Sequence, residues 1–441
     1  MRRTITTAIL FLLISADFLM GQEPAADLVI TGGVVYTVDG EGATAEALAV
    51  KDGHIVAVGR EGRIERYIQE GTEVIDASGL AVYPGFIDTH AHPVGVGFAQ
   101  RSLDLTGVSS YEELVELAGE KAQGLEPGEW ILGGGWHQSK WVEAPTPEVG
   151  GFPTNDALSA ATPDNPVFLT HASGHAALAN DRALEIAGIK ASSTFPEGGE
   201  IKKGPDGEPT GILVEEASGL VGRHVPQPSP QYLSRLLVSA LEAATRNGIT
   251  GIHDAAVDRG TLALYRRLAE AGRLPVRVYA MLIPGRSGED TAFIEEWLRR
   301  GPIVGGHEGY LTIRAVKTFV DGALGSRGAW LLAPYADGAE SGHALISRDA
   351  LETVVEDALV SGFQVAAHAI GARANRLVLD VYESAFRKHP DAAAEARFRV
   401  EHAQHIALSD ISRFGELDII AAMQGIHMAS DISWAIDRLG P

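Results

Sequence analysis

The residues best suited to chemistry in this sequence are its histidines. Two of them, His90 and His92, stand one residue apart at the end of the stretch AVYPGFIDTHAHP (81–93). In an extended strand residues i and i+2 face the same side, about 6–7 Å apart, so two imidazoles can converge on one cation. Asp88 belongs to that face as well. Further along, Lys317 comes late in the apolar run YLTIRAVKTFV (310–320), His368 ends FQVAAH (363–368) and His402 ends FRVEH (398–402). Imidazoles satisfy zinc or a similar cation, and a cation so held brings water toward ionisation near neutral pH for attack on a carbonyl. An isolated H-x-H pair reads more readily as surface histidines at a strand end; the set of strand ends favours a centre. A lysine in an apolar strand needs a reason. One is carboxylation of its amine to a carbamate bridging two metals, and the other is a buried pair with Asp321 or Asp88. Asp254 and Asp321 are candidates to orient the ligands.

The elements that must position these residues follow a regular rhythm after Pro230. Helices are expected at 232–247, 262–271, 291–300, 349–361, 372–389 and 409–417. They alternate with strands at 249–254, 276–283, 310–320, 363–368, 398–402 and 418–427. Apolar strands under helices indicate a parallel sheet. Counting the H-x-H strand, which reads as a buried one, there are seven. They end at His90/His92, His253–Asp254, Ile283, Lys317, His368, His402 and His427. Polar residues gathered at the C-terminal ends of parallel strands are how a (β/α)8 barrel builds its site. The fold class is therefore α/β, a TIM-like (β/α)8 barrel with seven of eight strands in hand. No glycine-rich phosphate loop follows any strand, which weighs against an open nucleotide-binding sheet.

Two regions precede this rhythm. Residues 27–80 carry short β-runs at 28–30, 34–37, 47–50, 54–58 and 73–76, with Asp52-Gly53 as a hairpin turn, and they read as a small sheet. Residues 81–441 are the barrel, interrupted at 94–230 by an insertion that could cover the site. The insertion holds a helix at 111–123 capped by Ser109–Ser110. Its His137, His171 and His175 are either substrate contacts or ordinary loop histidines. Arg327, in ALGSRGAW, either binds substrate or caps and pairs.

The chain begins with Arg2 and Arg3, an apolar run at 8–14 and small residues beyond, as an export signal over 1–25 would. Exported, periplasmic or secreted placement and a soluble mature protein follow as expectations; an uncleaved anchor is the other reading. There is no cysteine, so disulfides and thiolate metal sites are excluded. With 58 acidic against 36 basic residues the net charge is −22, which argues against nucleic acid or an anionic membrane as partner. A homo-oligomer stays open.

The ordered motifs PGFIDTHAHP (84–93), HASGHAALAN (171–180), ITGIHDA (249–255), KTFVDGALGSRGAWLLAPY (317–335), AAHAIGARANRLVLDVYE (366–383), RVEHAQHI (399–406) and MQGIHMASDISWAIDRLG (423–440) cover nearly everything after the signal. With them the chain resembles the amidohydrolase superfamily, in the branch that includes N-substituted formamide deformylase. The resemblance implies a metal-dependent hydrolase of carbon–nitrogen bonds other than peptide bonds, with a small-molecule amide substrate and one or two divalent ions. It implies a distorted TIM-like barrel with a small β-sandwich that combines the N-terminal strands, here 27–80, with strands from the far C-terminus. It implies His90, His92, His368 and His402 as metal ligands, with Lys317 as a carboxylated strand-four ligand. His137, His175, Arg327 and His427 become candidates for substrate. The family's general-base aspartate, at the end of strand eight, would lie beyond Pro441, and Asp431 is not its equivalent. The expectation is that these 441 residues form a truncated, poorly stable and inactive version of a longer hydrolase. A catalytically inactive exported binding protein and a metal-dependent isomerase or lyase are the competing readings.

Overall fold

At the Asp52-Gly53 turn both residues take positive φ, 49° and 73°. That is what a two-residue hairpin with mirror-image turn geometry requires, and a glycine meets it without strain. The turn joins Ala47–Lys51 to His54–Gly59, with Lys51 opposite His54. The structure, a computed structural model, describes residues 25–440 apart from 41, 173–175, 195–198, 216, 227–228, 286–289, 326 and 433–434. The stretch read as an export signal lies almost wholly outside the described residues. None of the described helices is long and apolar enough to cross a membrane.

The chain divides into two compact units that meet between Gly85 and Phe86. In the first, four strands pair in the order 54–59, 47–51, 28–31, 73–76, and three more in the order 44–45, 34–36, 81–82. Val29, Ala47, Ala49, Ile64 and Tyr67 form its core. The pairs Thr44–Ala45 and Ala81–Val82 and the short helix Glu61–Ile64 are additions to the expected strands. Residues 81–93 are thus not one strand. Ala81–Val82 pairs with Val34–Val35, and extended pairing resumes only at Phe86. Pro84 lacks an N–H for a ladder bond and restricts Tyr83, which accounts for the break.

The second unit carries seven parallel strands: β1 (Phe86–Ala91), β2 (Ile249–Val257), β3 (Arg277–Leu282), β4 (Leu311–Phe319), β5 (Gln364–Ala369), β6 (Arg399–His402) and β7 (Ile420–Ala422). Each pairs with the next in chain order, and Ile303–Gly306 adds antiparallel to β4. Helices 230–246, 259–270, 291–300 and 348–360 start on Ser229, Asp258, Asp290 and Ser347, whose side chains accept a first-turn backbone N–H. Their apolar faces and the outward faces of the strands make one large core, including Tyr265, Phe293, Phe363, Tyr382 and Phe398. Inside the sheet the apolar side chains form only a small cluster, Ala255, Met281, Ala315 and Ala366, with Tyr279 packed against it.

Two expectations need correction here. β1 is not a buried strand: Phe86 and Ile87 are 62% and 60% exposed. It pairs only with β2, so it is an edge of the seven-stranded sheet among the described residues. The strand read at 418–427 shrinks to Ile420–Ala422. After it Gln424 folds back to donate to the Ala422 carbonyl, and a short helix, Ile426–Asp431, begins beyond Gly425. An apolar run interrupted by Gln-Gly cannot sustain a ladder when its own side chain takes the carbonyl.

The insertion, read as a possible cover with a helix at 111–123, carries a six-stranded sheet of its own. Its strands run in the order 199–203, 209–215, 176–179, 167–171, 131–136, 103–104. One core holds Leu114, Ile131, Trp136, Trp141, Leu158 and Leu169, and a second holds Leu184, Ile201, Leu213 and Val221. The glycine run at 133–135 lets strands come close: a Cβ on Gly134 would stand 2.2 Å from Thr170 Oγ1. Ser110 caps Tyr111–Gln123 as expected.

Candidate active site at the strand ends

Alternation along a strand sends every second side chain to one face. His90, His253, Lys317, His368, Arg399 and Glu401 gather in this way on the concave side of the sheet. Four imidazoles meet there. Ring centroids are 5.3 Å apart for His90 and His92, 4.7 Å for His90 and His402, and 4.5 Å for His368 and His402. His92 lies just past β1, as the residue that precedes the helix Pro93–Ala99. His402 breaks the alternation. Next to Glu401 it would face the opposite way, but His402 and Ala403 take φ of 73° and 43°, and the ring arrives beside His90 and His368. Such backbone costs on the order of 1–3 kcal/mol per residue and tends to persist at functional sites.

Two of the imidazoles, His368 and His402, are held neutral. Burial, then the nearby Lys317 charge, lowers His368 to about 4; burial, then His368 and Lys317, lowers His402 to about 3. Neutral imidazole is the form that binds a cation. His402 Nδ1 lies 2.6 Å from Gln424 Oε1, and the Gln424 amide nitrogen is spent on the Ala422 carbonyl. Gln424 therefore presents an acceptor, His402 Nδ1 carries the proton, and Nε2 keeps its lone pair. The Nε2 of His368 is buried with no hydrogen-bond partner, 3.6 Å from Asp321 Oδ1. An orphaned buried nitrogen of this kind calls for a missing partner. The donor set thus suits a divalent cation in chemistry, although among the described residues no three His, Asp or Glu side chains close around one point.

Lys317 is 2% exposed, and burial brings its amine down to about 8, against the pull of Glu401. Its Nζ lies 5.1 Å from the Phe319 ring centroid. The two carboxylates considered as its partners have other engagements. Asp88 accepts from the His90 backbone N–H. Asp321 accepts from Trp330, Ile370 and Gly371, pinning the turn after β5; burial raises it to about 6, moderated by those bonds. Asp254 orients no histidine: it accepts from Tyr265 and the Ala256 N–H, and burial raises it to about 6.

The remaining candidates divide. His427 joins the cluster, its ring 5.5 Å from His402, though from the short helix and not from a strand. Arg327 pairs with Asp337 at 2.8 Å, which matches the pairing alternative. His137 lies in the insertion, 4.5 Å ring to ring from His171. His171 is buried, bonded to Gln138 at 3.1 Å and edge-on to Trp136. His175 lies outside the described residues.

Sequence reasoning missed Glu401, Arg399 and Gln424. Glu401 is fully buried, hydrogen-bonded to His90 Nδ1 and to Arg399. Burial alone would raise its carboxyl; the bonds from His90 and Arg399 and the guanidinium charge outweigh that and hold it at about 2. A signal was present. Arg399 and Glu401 put opposite charges two apart in a short apolar strand, the same anomaly that marked Lys317.

The sequence of this chain matches the model of a family described as the amidohydrolase family over residues 73–441. It is 33% identical over 425 residues to "Protein LONG AFTER FAR-RED 3" of Arabidopsis thaliana, covering 94% of this chain and 70% of that protein. It is 32% identical over 405 residues to the N-substituted formamide deformylase of Arthrobacter pascens, covering 89% and 72%. The crystal structure of an uncharacterized metal-dependent hydrolase from Pyrococcus furiosus superposes with a TM-score of 0.73 at 29% identity, covering 94% of this chain and 80% of that one. A match along most of the length, in sequence and in fold, makes this chain a member of the amidohydrolase family.

Proposed function

We propose that this hydrolase cleaves a carbon–nitrogen bond in a small amide, an N-substituted formamide or a related N-acyl amine. The observation that carries the reading is the gathering of His90, His92, His368 and His402 around Lys317. They come from the ends of three parallel strands, and His368 and His402 are held neutral. His90, His92, His368 and His402 would hold a divalent cation such as zinc. Lys317, with its amine lowered into the range where carbon dioxide can add, would join them as a carbamate if two ions bind. Such a cation supplies Lewis-acid polarisation of the carbonyl and brings water toward ionisation.

The protein's own residues do the rest. Asp321, accepting from the Ile370 and Gly371 N–H groups, fixes the loop that follows His368 and ties it to Trp330 through a third. Gln424 sets the tautomer of His402. His427, beside His402 and 3.8 Å from Asp431, is placed to pass a proton toward a leaving amine. Family membership and the formamide deformylase relative support the amide class; the start of the chain supports an exported enzyme.

The test is a substrate panel on the 441-residue protein and on the longer hydrolase expected above, each purified and loaded in turn with zinc, cobalt and manganese, following release of formate and free amine. Formamide or N-acyl amine turnover by the longer form that depends on added metal and disappears with a chelator is the expected result. Turnover by that form confined to esters or phosphates, or metal uptake with no turnover of any amide, would sink the proposal.

A further inference from the structure

The residues on β6 just before His402 form a buried polar chain that the hydrolytic reading leaves without a task. Glu401 is fully buried and receives three bonds. Arg399 Nε donates at 2.6 Å and Arg399 Nη2 at 3.1 Å, and Oε2 is bonded to His90 Nδ1. Arg399, 4% exposed, has further engagements: Nη2 donates to the Thr89 carbonyl at 2.8 Å, and Nη1 lies 2.9 Å from His253 Nδ1. This chain links β6 to β1 and β2, which stand at the far side of the sheet order.

The protons in it can be assigned by elimination. A guanidinium has donors only, so His253 Nδ1 accepts and its proton sits on Nε2. A carboxylate that takes two guanidinium N–H groups in its plane is the acceptor form. The third group on Glu401, His90 Nδ1, must then be the donor. His90 is left with one lone pair, on Nε2, and its ring plane is set by a buried carboxylate that cannot itself rotate away from Arg399. The backbone of the preceding residue is held by the same guanidinium, so both the ring and the strand end that bears it are anchored to β6.

We propose that Glu401, clamped by Arg399, is a positioning residue that fixes His90 as the Nδ1–H tautomer and presents its Nε2 to the cation. This rests on the reading of His90 as a metal ligand given above. It extends that reading to two residues that touch neither substrate nor cation. A carboxylate behind a ligating histidine typically changes metal affinity by roughly 10- to 100-fold. A purely structural Arg–Glu pair would change folding stability and leave the affinity of the folded protein alone.

The experiment has two parts. In metal-free wild-type protein labelled with 15N-histidine, and with His90→Gln for assignment, long-range proton–nitrogen correlation reads the tautomer of His90. A single Nδ1–H form is expected, and an Nε2–H form or a mixture overturns the proposal whether or not any variant folds. In Glu401→Gln, checked for native circular dichroism, zinc affinity is measured by chelator competition. A loss of roughly 10- to 100-fold is expected, with His253→Asn, which loosens Arg399 but leaves Glu401 on His90, within about threefold of wild type on the same scale. Wild-type affinity in folded Glu401→Gln overturns the proposal. Failure of the wild type to bind any divalent metal would instead remove the metal-ligand reading, a result the tautomer measurement does not depend on.

Discussion

Histidines collect with aromatic or charged partners in two places in the second unit, and the two collections differ in what is left over. In the insertion, His171 is edge-on to Trp136, has Phe152 at 6.2 Å and spends its Nε2 on Gln138. Trp136, with no exposed surface, donates to the Leu169 carbonyl. His171 and Trp136 are each matched, while Trp141, stacked on Trp136, keeps a buried Nε1–H without a partner. At the strand ends, His368 retains an orphaned nitrogen, His402 has its tautomer set from behind, and two residues sit in costly backbone. The lesson is that clustering alone does not mark a site. A lone unsatisfied nitrogen does not either, since Trp141 Nε1 in the insertion core also lacks a partner. What sets the strand ends apart is an orphaned imidazole nitrogen beside another neutral imidazole, on backbone held in an unfavourable conformation.

Substitutions can break this contrast. The largest effect should come from His402→Ala or His90→Ala, which remove a buried imidazole from the cluster. Activity should fall on the order of a thousand-fold, equivalent to ~4 kcal/mol of barrier, with bound metal lost by elemental analysis and the far-ultraviolet spectrum retained. His171→Ala should do the reverse, lowering melting temperature while the protein keeps its metal. Metal loss from His171→Ala would erase the distinction between the two clusters.

Next in size is Trp136→Ala, which empties a fully buried site in the insertion core and should cost about 3–5 kcal/mol in urea denaturation. Asp321→Ala would strip the acceptor from three backbone N–H groups. A loss of roughly 2–3 kcal/mol is expected, accompanied, unlike Trp136→Ala, by a fall in kcat because the loop after His368 is released.

The pH dependence separates the regions without mutation. His253, His368 and His402 are lowered in the fold from 6.5 to about 4, 4 and 3, burial being the first cause in each. Their contribution to stability is fully present above pH 6.5 and is lost as pH falls toward 4. Asp254 and Asp321 are raised from 3.8 to about 6, so their contribution has the opposite sign: present below pH 4, lost as pH rises through 6. Denaturation midpoints of metal-free protein between pH 4 and 8 should show both limbs. Asp254→Asn should flatten the alkaline limb and leave the acid one; an unchanged alkaline limb would assign it to other groups.

The smallest effect is expected at Arg327. Its partly exposed pair with Asp337 is worth about 0–1 kcal/mol, so Arg327→Ala should be nearly silent in stability and in KM. A tenfold rise in KM would return Arg327 to the substrate.

The sequence by itself determined the strand–helix rhythm after Pro230, the family, and the identities of the histidines that meet. It could do so because an apolar strand ending in an ionisable residue is a local pattern, and alternation gives its face. It also announced the hairpin at Asp52-Gly53 and the cap at Ser110, which depend on a few adjacent residues. Only the tertiary structure decided the rest. The exposure of β1 depends on which neighbour that segment finds, whereas the break of 81–93 at Pro84 and the shortening of β7 at Gln424 have local causes that the apolar pattern masked. The sheet of the insertion was hidden because its strands pair across long sequence separations, Ile131 with Val167 and Leu178 with Ile212. Glu401 reaches His90 across 311 positions of chain. Neither residue's type discloses that the other will be the one to take or give the proton.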